Sequence, residues 1–176
     1  MKTLVVAERK GTDLRRVTLE LAVKARELGE TTVVEIAGER YSPLPFVSAL
    51  AKKVEAEKPD LVLLGATLNG RDLGARLAAR LGRVYAADVT DLRAAGNALE
   101  LDKPMYVGKV RAKLRIDLPA VVSVRPGAPT AVTLSACSPG PWQVHFSAPF
   151  TGSIGPRFVS VRSTEPVFRP DAGACP

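Results

Sequence analysis

The stretch that most constrains this chain runs from Lys58 to Gly82, KPDLVLLGATLNGRDLGARLAARLG, because it reads as a strand, a tight loop and a helix in immediate succession. Leu61, Val62, Leu63 and Leu64 form a short apolar run behind Pro59, the pattern of a strand buried on both faces of a parallel sheet. Gly65 ends it. Asp72 is placed to cap the helix that follows, with Leu73, Leu77, Ala78 and Leu81 at helical spacing and Gly82 as its stop. The loop Gly65 to Arg71 therefore falls at the carboxyl end of a central strand. In open α/β sheets ligands bind at that edge, where backbone N–H groups and the positive end of a helix dipole face a crevice. Gly65 and Gly70 are spaced as in a phosphate loop. Arg71 and Asp72, however, stand where such a loop needs Lys and then Ser or Thr, and a carboxylate at the helix start repels phosphate. A triphosphate loop is rejected on that ground.

Around this unit the chain repeats the same alternation. Thr3 to Ala7 is a buried-type strand, and Asp13 to Leu28 has one apolar helical face of Leu14, Val17, Leu21, Ala25 and Leu28, with Asp13 as cap and Gly29 as stop. Thr32 to Ala37 makes a second strand. Pro43 and Pro45 open a second helix that turns Phe46, Leu50, Ala51 and Val54 inward. Three strand-helix steps in a row predict a three-layer α/β fold, a mostly parallel sheet with right-handed crossovers and helices on both faces.

After Gly82 the helices stop. Val84 to Val89 is a fourth strand, Leu99 to Val107 and Val110 to Ile116 form an extra β-hairpin around Gly108, and Ala120 to Arg125 is a last apolar strand before Pro126. In the second hairpin arm Lys109, Arg111, Lys113 and Arg115 alternate with Val110, Ala112, Leu114 and Ile116, so the four cations share one face. That face reads either as a charged edge that discourages strand-on-strand association or as a docking surface for an acidic protein. Nine of the fourteen prolines lie from Pro126 onward, and no helical period survives there. Residues 129–176 are read as an extended tail, in which Trp142 to Phe146 and Arg157 to Val161 are short apolar runs able to pair as strands.

At 176 residues the chain has room for one good core, here 1–128, and a tail. No apolar run approaches a membrane span and the charged N-terminus lacks a signal-peptide layout, which places the protein in the cytoplasm without membrane insertion. Cys137, Cys175 and His145 form no metal-type cluster, so no metal is expected. The single His and the lack of a nucleophile elbow leave catalysis without support. The net charge of +7 favours acidic partners. Nucleic acid is not expected, since among the aromatic residues only Tyr106 lies near the basic arm.

GATLNGRDLGARLAARLG, AADVTDL, KPMYVGKV and VVSVRPGAP, in this order and behind the opening LVVAE and the helix VTLELAVKARELG, resemble the N-terminal domain of electron transfer flavoprotein alpha subunits over Met1 to Ala128. The resemblance implies a fold related to adenine-nucleotide alpha-hydrolase and universal-stress domains. It also implies an alpha/beta heterodimer that passes electrons from acyl-CoA and other dehydrogenases to a membrane quinone oxidoreductase. In the family a second alpha domain with a GGRG-type motif carries most FAD contacts. No such motif follows Pro126, so FAD is expected only through a partner chain or separate domain.

Two functional readings follow from the residues and the resemblance. One is a non-enzymatic scaffold of an electron transfer flavoprotein, paired with a beta-like subunit or with a second copy of itself, with Lys109, Arg111, Lys113, Arg115 and Arg125 on the partner-binding side. The alternative is a small adenine-nucleotide-binding regulatory domain. In that case AMP would lie against Ala7 and Glu8 at the end of the first strand and Gly65, Ala66, Thr67, Gly70 and Arg71 in the loop, with Arg71 pairing the phosphate and the Thr67 hydroxyl donating to it. In the family AMP belongs to the beta subunit. Against the crevice stands a plainer reading, in which Arg71 and Asp72 make a salt bridge and a cap. Asp88, Thr90 and Arg125 complete the same rim, with Arg125 best placed to clasp a carboxylate or a partner chain.

Overall fold

The computed structural model describes residues 1–11, 13–37 and 41–127, together with the backbone of Ser160–Thr164. The elements run β1 (Lys2–Ala7), β2 (Arg9–Lys10), β3 (Asp13–Leu14), α1 (Arg16–Leu28), β4 (Glu30–Ala37), α2 (Pro43–Glu57), β5 (Leu61–Gly65) and α3 (Leu68–Leu81). They continue with β6 (Val84–Val89), β7 (Asp91–Ala95), β8 (Ala98–Met105), β9 (Val110–Asp117), β10 (Ala120–Val124) and β11 (Ser160–Thr164). The main sheet has the order β11-β4-β1-β5-β10-β6, with β4, β1, β5, β10 and β6 parallel and β11 antiparallel to β4. A three-stranded antiparallel sheet, β7-β8-β9, is separate.

The period of two sorts the strands' side chains between two cores. Leu4, Val6, Val62, Leu64 and Val121 face α2 and α3, where they meet Val47, Leu50, Val54, Leu73 and Leu77. Val5, Leu61, Leu63, Val122 and Val124 face the opposite way, onto Val17, Leu21 and Ala25 of α1 and onto Leu92, Leu99 and Leu101 of the small sheet. Every residue of β5 and of β10 is buried, as a central parallel strand covered on both faces requires. The third layer is thus α1 beside β-structure. Among the described residues no helix is long and apolar enough to cross a membrane.

Three expectations change in detail. Asp13 and Leu14 do not start α1. They pair antiparallel with Lys10 and Arg9 across Gly11 at φ +65°, and the helix begins at Arg16 behind an Arg15 that makes no side-chain cap. The Arg15 amide instead donates to the Glu8 carbonyl at 2.8 Å, which ties the helix start to the end of β1. Asp72 does not cap α3, because the helix starts four residues earlier. Thr67 is the cap, its hydroxyl accepting from Gly70 N–H, while Asp72 sits in the second turn bonded to Tyr41 and Arg76. The first hairpin strand stops at Met105, since Tyr106 and Val107 (φ 49° and 58°) make the turn together with Gly108. β7 had no signal in the sequence, for only Leu92 of its five residues is buried. Of the two tail runs, Arg157 to Val161 overlaps β11, and Trp142 to Phe146 lies outside the described residues, as do His145 and both cysteines.

Candidate functional site

The connection after β1 leads to α1 on one face of the sheet, and the connection after its neighbour β5 leads to α3 on the other. Adjacent strands whose helices leave in opposite directions open a crevice at their carboxyl ends. Here it is a concavity of about 450 Å³ whose walls include Ala7, Glu8, Glu35, Tyr41, Phe46 and Gly70.

Glu8 dominates it. Its carboxylate Oε1 accepts from the Thr67 hydroxyl at 2.8 Å, and its Oε2 lies 3.8 Å from Arg15 Nε. Backbone bonds fix the residue on both sides, Glu8 N–H to Thr18 Oγ1 at 2.9 Å and Arg15 N–H to the Glu8 carbonyl at 2.8 Å. Burial pushes the Glu8 carboxyl above the ordinary glutamate range, against the opposing effects of the Thr67 bond and of Arg15. Beside it Arg9 grips Glu35 with both Nε and Nη2. Glu35 and Tyr41 were not singled out in the sequence, yet a charged residue near the end of an otherwise apolar strand is a signal for the crevice edge.

The structure divides the expected site residues. Ala7, Glu8 and Gly70 line the crevice, Thr67 bonds Glu8 from the helix cap, and Gly65 at the strand end leaves room for it, since a Cβ there would stand 3.4 Å from Glu8 Oε1. The Ala66 amide is spent on the Val124 carbonyl at 2.7 Å. Arg71 does not line the crevice. It turns toward β6, donating to the Ala66 carbonyl at 2.9 Å and approaching Asp88 at 3.6 Å. Thr67 directs its hydroxyl to Glu8.

A second cluster stands at the same sheet edge. Asp88 adopts φ 60°, a conformation uncommon outside glycine, where β10 slips register against β6. Arg125 clasps its carboxylate with two nitrogens, Asp88 N–H donates to Ser123 Oγ at 3.2 Å, and Tyr85 OH lies 3.0 Å from the same oxygen. The Arg125 guanidinium, with Arg71 and Lys103 adding to it, holds Asp88 below the usual carboxylate range. Arg125 therefore clasps a carboxylate of its own chain. Thr90 caps the small sheet by donating to the Asp102 carbonyl.

On the hairpin, Arg111, Lys113 and Arg115 do share one face, with Lys109 in the turn before them. Glu100 stands opposite Arg115 and Asp102 opposite Lys113, so acids of β8 flank the cations. The tip is apolar and bare: Tyr106 is 74% exposed, Val107 fully exposed and Val110 50% exposed. Among the described residues no group of three or more His, Cys, Asp or Glu side chains is arranged to hold a metal.

Comparison with known proteins agrees with this architecture. Residues 32–145 match the family model of the electron transfer flavoprotein domain. The chain is 31% identical over 156 residues to the electron transfer flavoprotein subunit alpha of Mycobacterium tuberculosis strain H37Rv, covering 72% of this chain and 48% of that protein. It is 32% identical over 119 residues to the Mycobacterium leprae subunit alpha, covering 52% of this chain and 37% of that protein. To the Clostridium acetobutylicum subunit alpha it is 27% identical over 157 residues, 70% of this chain and 47% of that one. The chain spans half or less of the length of these curated relatives.

Proposed function

The chain belongs to the electron transfer flavoprotein family and is alpha-like, and from that premise we propose that it is the structural, non-enzymatic part of an electron-transfer assembly. In this reading it docks on a beta-type subunit through the β8–β9 arm, and FAD is held by the partner chain or by a separate domain. The observation that carries the docking is the arm's tip. A monomer in water gains nothing by presenting Tyr106, Val107 and Val110 together on a turn flanked by Lys109 and Arg111, whereas a partner with an apolar recess and an acidic rim would cover them. The crevice supports the same view, because its switch-point position is filled by the chain's own Glu8 carboxylate.

The test is reconstitution. Mixing the purified chain with the beta-type electron transfer flavoprotein subunit of the same source and measuring mass by light scattering is expected to give a heterodimer that weakens with salt. Replacing Val107 and Tyr106 with Asp is expected to raise its Kd at least about tenfold, since both are apolar anchors at the contact. Heterodimer formation unaffected by both substitutions would remove the arm from the reading, and a mass of twice this chain would replace the heterodimer with a homodimer. Absorbance near the flavin bands of the assembly and of the chain alone locates FAD directly.

A further inference from the structure

Gly65 at the end of β5 and Gly70 in the first turn of α3 leave room for a carboxylate. A Cβ on Gly70 would lie 2.0 Å from the Gly65 carbonyl oxygen and 2.8 Å from Glu8 Oε1, and one on Gly65 would lie 3.4 Å from that same Oε1. Thr67 Oγ1 donates to Oε1 at 2.8 Å while accepting from Gly70 N–H at 3.0 Å. Oε1 thus rests among a hydroxyl and bare backbone at the positive end of a 14-residue helix, within the crevice between β1 and β5. In α/β sheets a ligand phosphate takes that position. Past the carboxylate the crevice continues along Ile36, Tyr41, Phe46 and Leu73, an apolar and aromatic wall suited to a nucleoside body.

We propose that Glu8 is an internal stand-in for a phosphate and sets the specificity of the crevice: with its charge in place nucleoside monophosphates are turned away, and its removal uncovers a phosphate site. A second anion on Thr67 and Gly70 would sit against Oε1, and like charges at contact distance in a partly buried site repel strongly. Thr18 and the Arg15 amide fix the Glu8 backbone, and the Thr67 hydroxyl on Oε1 with the Arg15 guanidinium 3.8 Å from Oε2 holds the carboxylate over the helix start. The partner reading is carried by the exposed β8–β9 tip and tested by heterodimer mass, so failure of this inference and failure of that reading are told apart by separate measurements.

The experiment uses the full chain as wild type, Glu8→Gln and Glu8→Ala, titrated calorimetrically near neutral pH with AMP, adenosine and inorganic phosphate. Wild type is expected to show no saturable AMP binding up to about 5 mM. Glu8→Gln keeps the shape and an acceptor for Thr67 and is expected to lower the AMP Kd at least about tenfold, with adenosine changing less than about threefold and Glu8→Ala gaining more. Wild type binding AMP as tightly as the variants would overturn the proposal. So would folded variants with no gain, or an equal gain for AMP and adenosine, which would make Glu8 a filler of space and not of charge. Collapse of both variants, seen by circular dichroism, would show a residue the fold itself requires, and would overturn it as well.

Discussion

Gly70→Ala is the substitution on which the account of the loop is most exposed. Gly70 lies in the first turn of α3, and an alanine in a helix is ordinarily worth about 1 kcal/mol over glycine. Here the added Cβ would stand 2.0 Å from the Gly65 carbonyl oxygen, about 1.4 Å inside ordinary van der Waals contact. That neighbour is backbone at the end of β5, a strand buried on both faces, so relief requires α3 to move off the sheet. Overpacking of this kind costs typically about 1–3 kcal/mol and at times more, and a backbone obstacle belongs at the upper end. Against the propensity gain the net loss is expected to be about 2 kcal/mol, a fall of roughly 4–8 °C in Tm for a chain of this length. Urea unfolding followed by far-ultraviolet circular dichroism gives the free energy, and the same experiment on Glu8→Ala/Gly70→Ala isolates the second contact. Removing Glu8 takes away the 2.8 Å neighbour but leaves the carbonyl, so most of the loss is expected to remain. A Gly70→Ala variant as stable as wild type or more so would refute the reasoning, because the helix and strand would then have slack that their packing denies.

Other substitutions probe neighbouring claims. Thr67→Val removes the α3 cap and is expected to lower stability by about 1 kcal/mol, with Thr67→Ser close to wild type in the same urea assay. Leu63→Ala opens a hole between β5 and α1 at a fully buried site, with an expected loss of about 2–5 kcal/mol by denaturant titration. Because burial raises the Glu8 carboxyl, its ionisation works against the folded state, so Glu8→Gln is expected to be the more stable protein at neutral pH. That advantage shrinks as pH falls through the folded value toward the ordinary 4.5, a trend measured by Tm against pH. Asp88 has the opposite sign. Its carboxyl is held low by Arg125, so its contribution is present above the ordinary 3.8 and lost as pH falls through the folded value. The destabilisation by Asp88→Asn is therefore expected to be largest near neutral pH and to fade under acid in the same scan.

Much of the architecture was legible because it is written in local periods. The apolar run Leu61–Leu64, the glycine at 82 and the alternation of Arg111, Lys113 and Arg115 each needed only a few consecutive residues to be read, and each stands in the structure as expected. Helix starts were read less well. Asp13 and Asp72 have the chemistry of caps, yet β2 takes the backbone of the first into a ladder and Thr67 begins α3 ahead of the second. A cap is chosen by where the chain enters the helix, and that entry is set by the strand behind it.

What the sequence by itself determined, then, is the succession of the main strands and helices and which face of each is apolar, though not β2, β3 or β7, since side-chain alternation and helical spacing are properties of neighbours in the chain. Only the tertiary structure decided that β10 slides between β5 and β6, that Glu8 meets a hydroxyl 59 residues away, and that Arg125 closes on Asp88. Strand order and crevice contents depend on which distant segments share buried area and hydrogen bonds, and no local pattern carries that information.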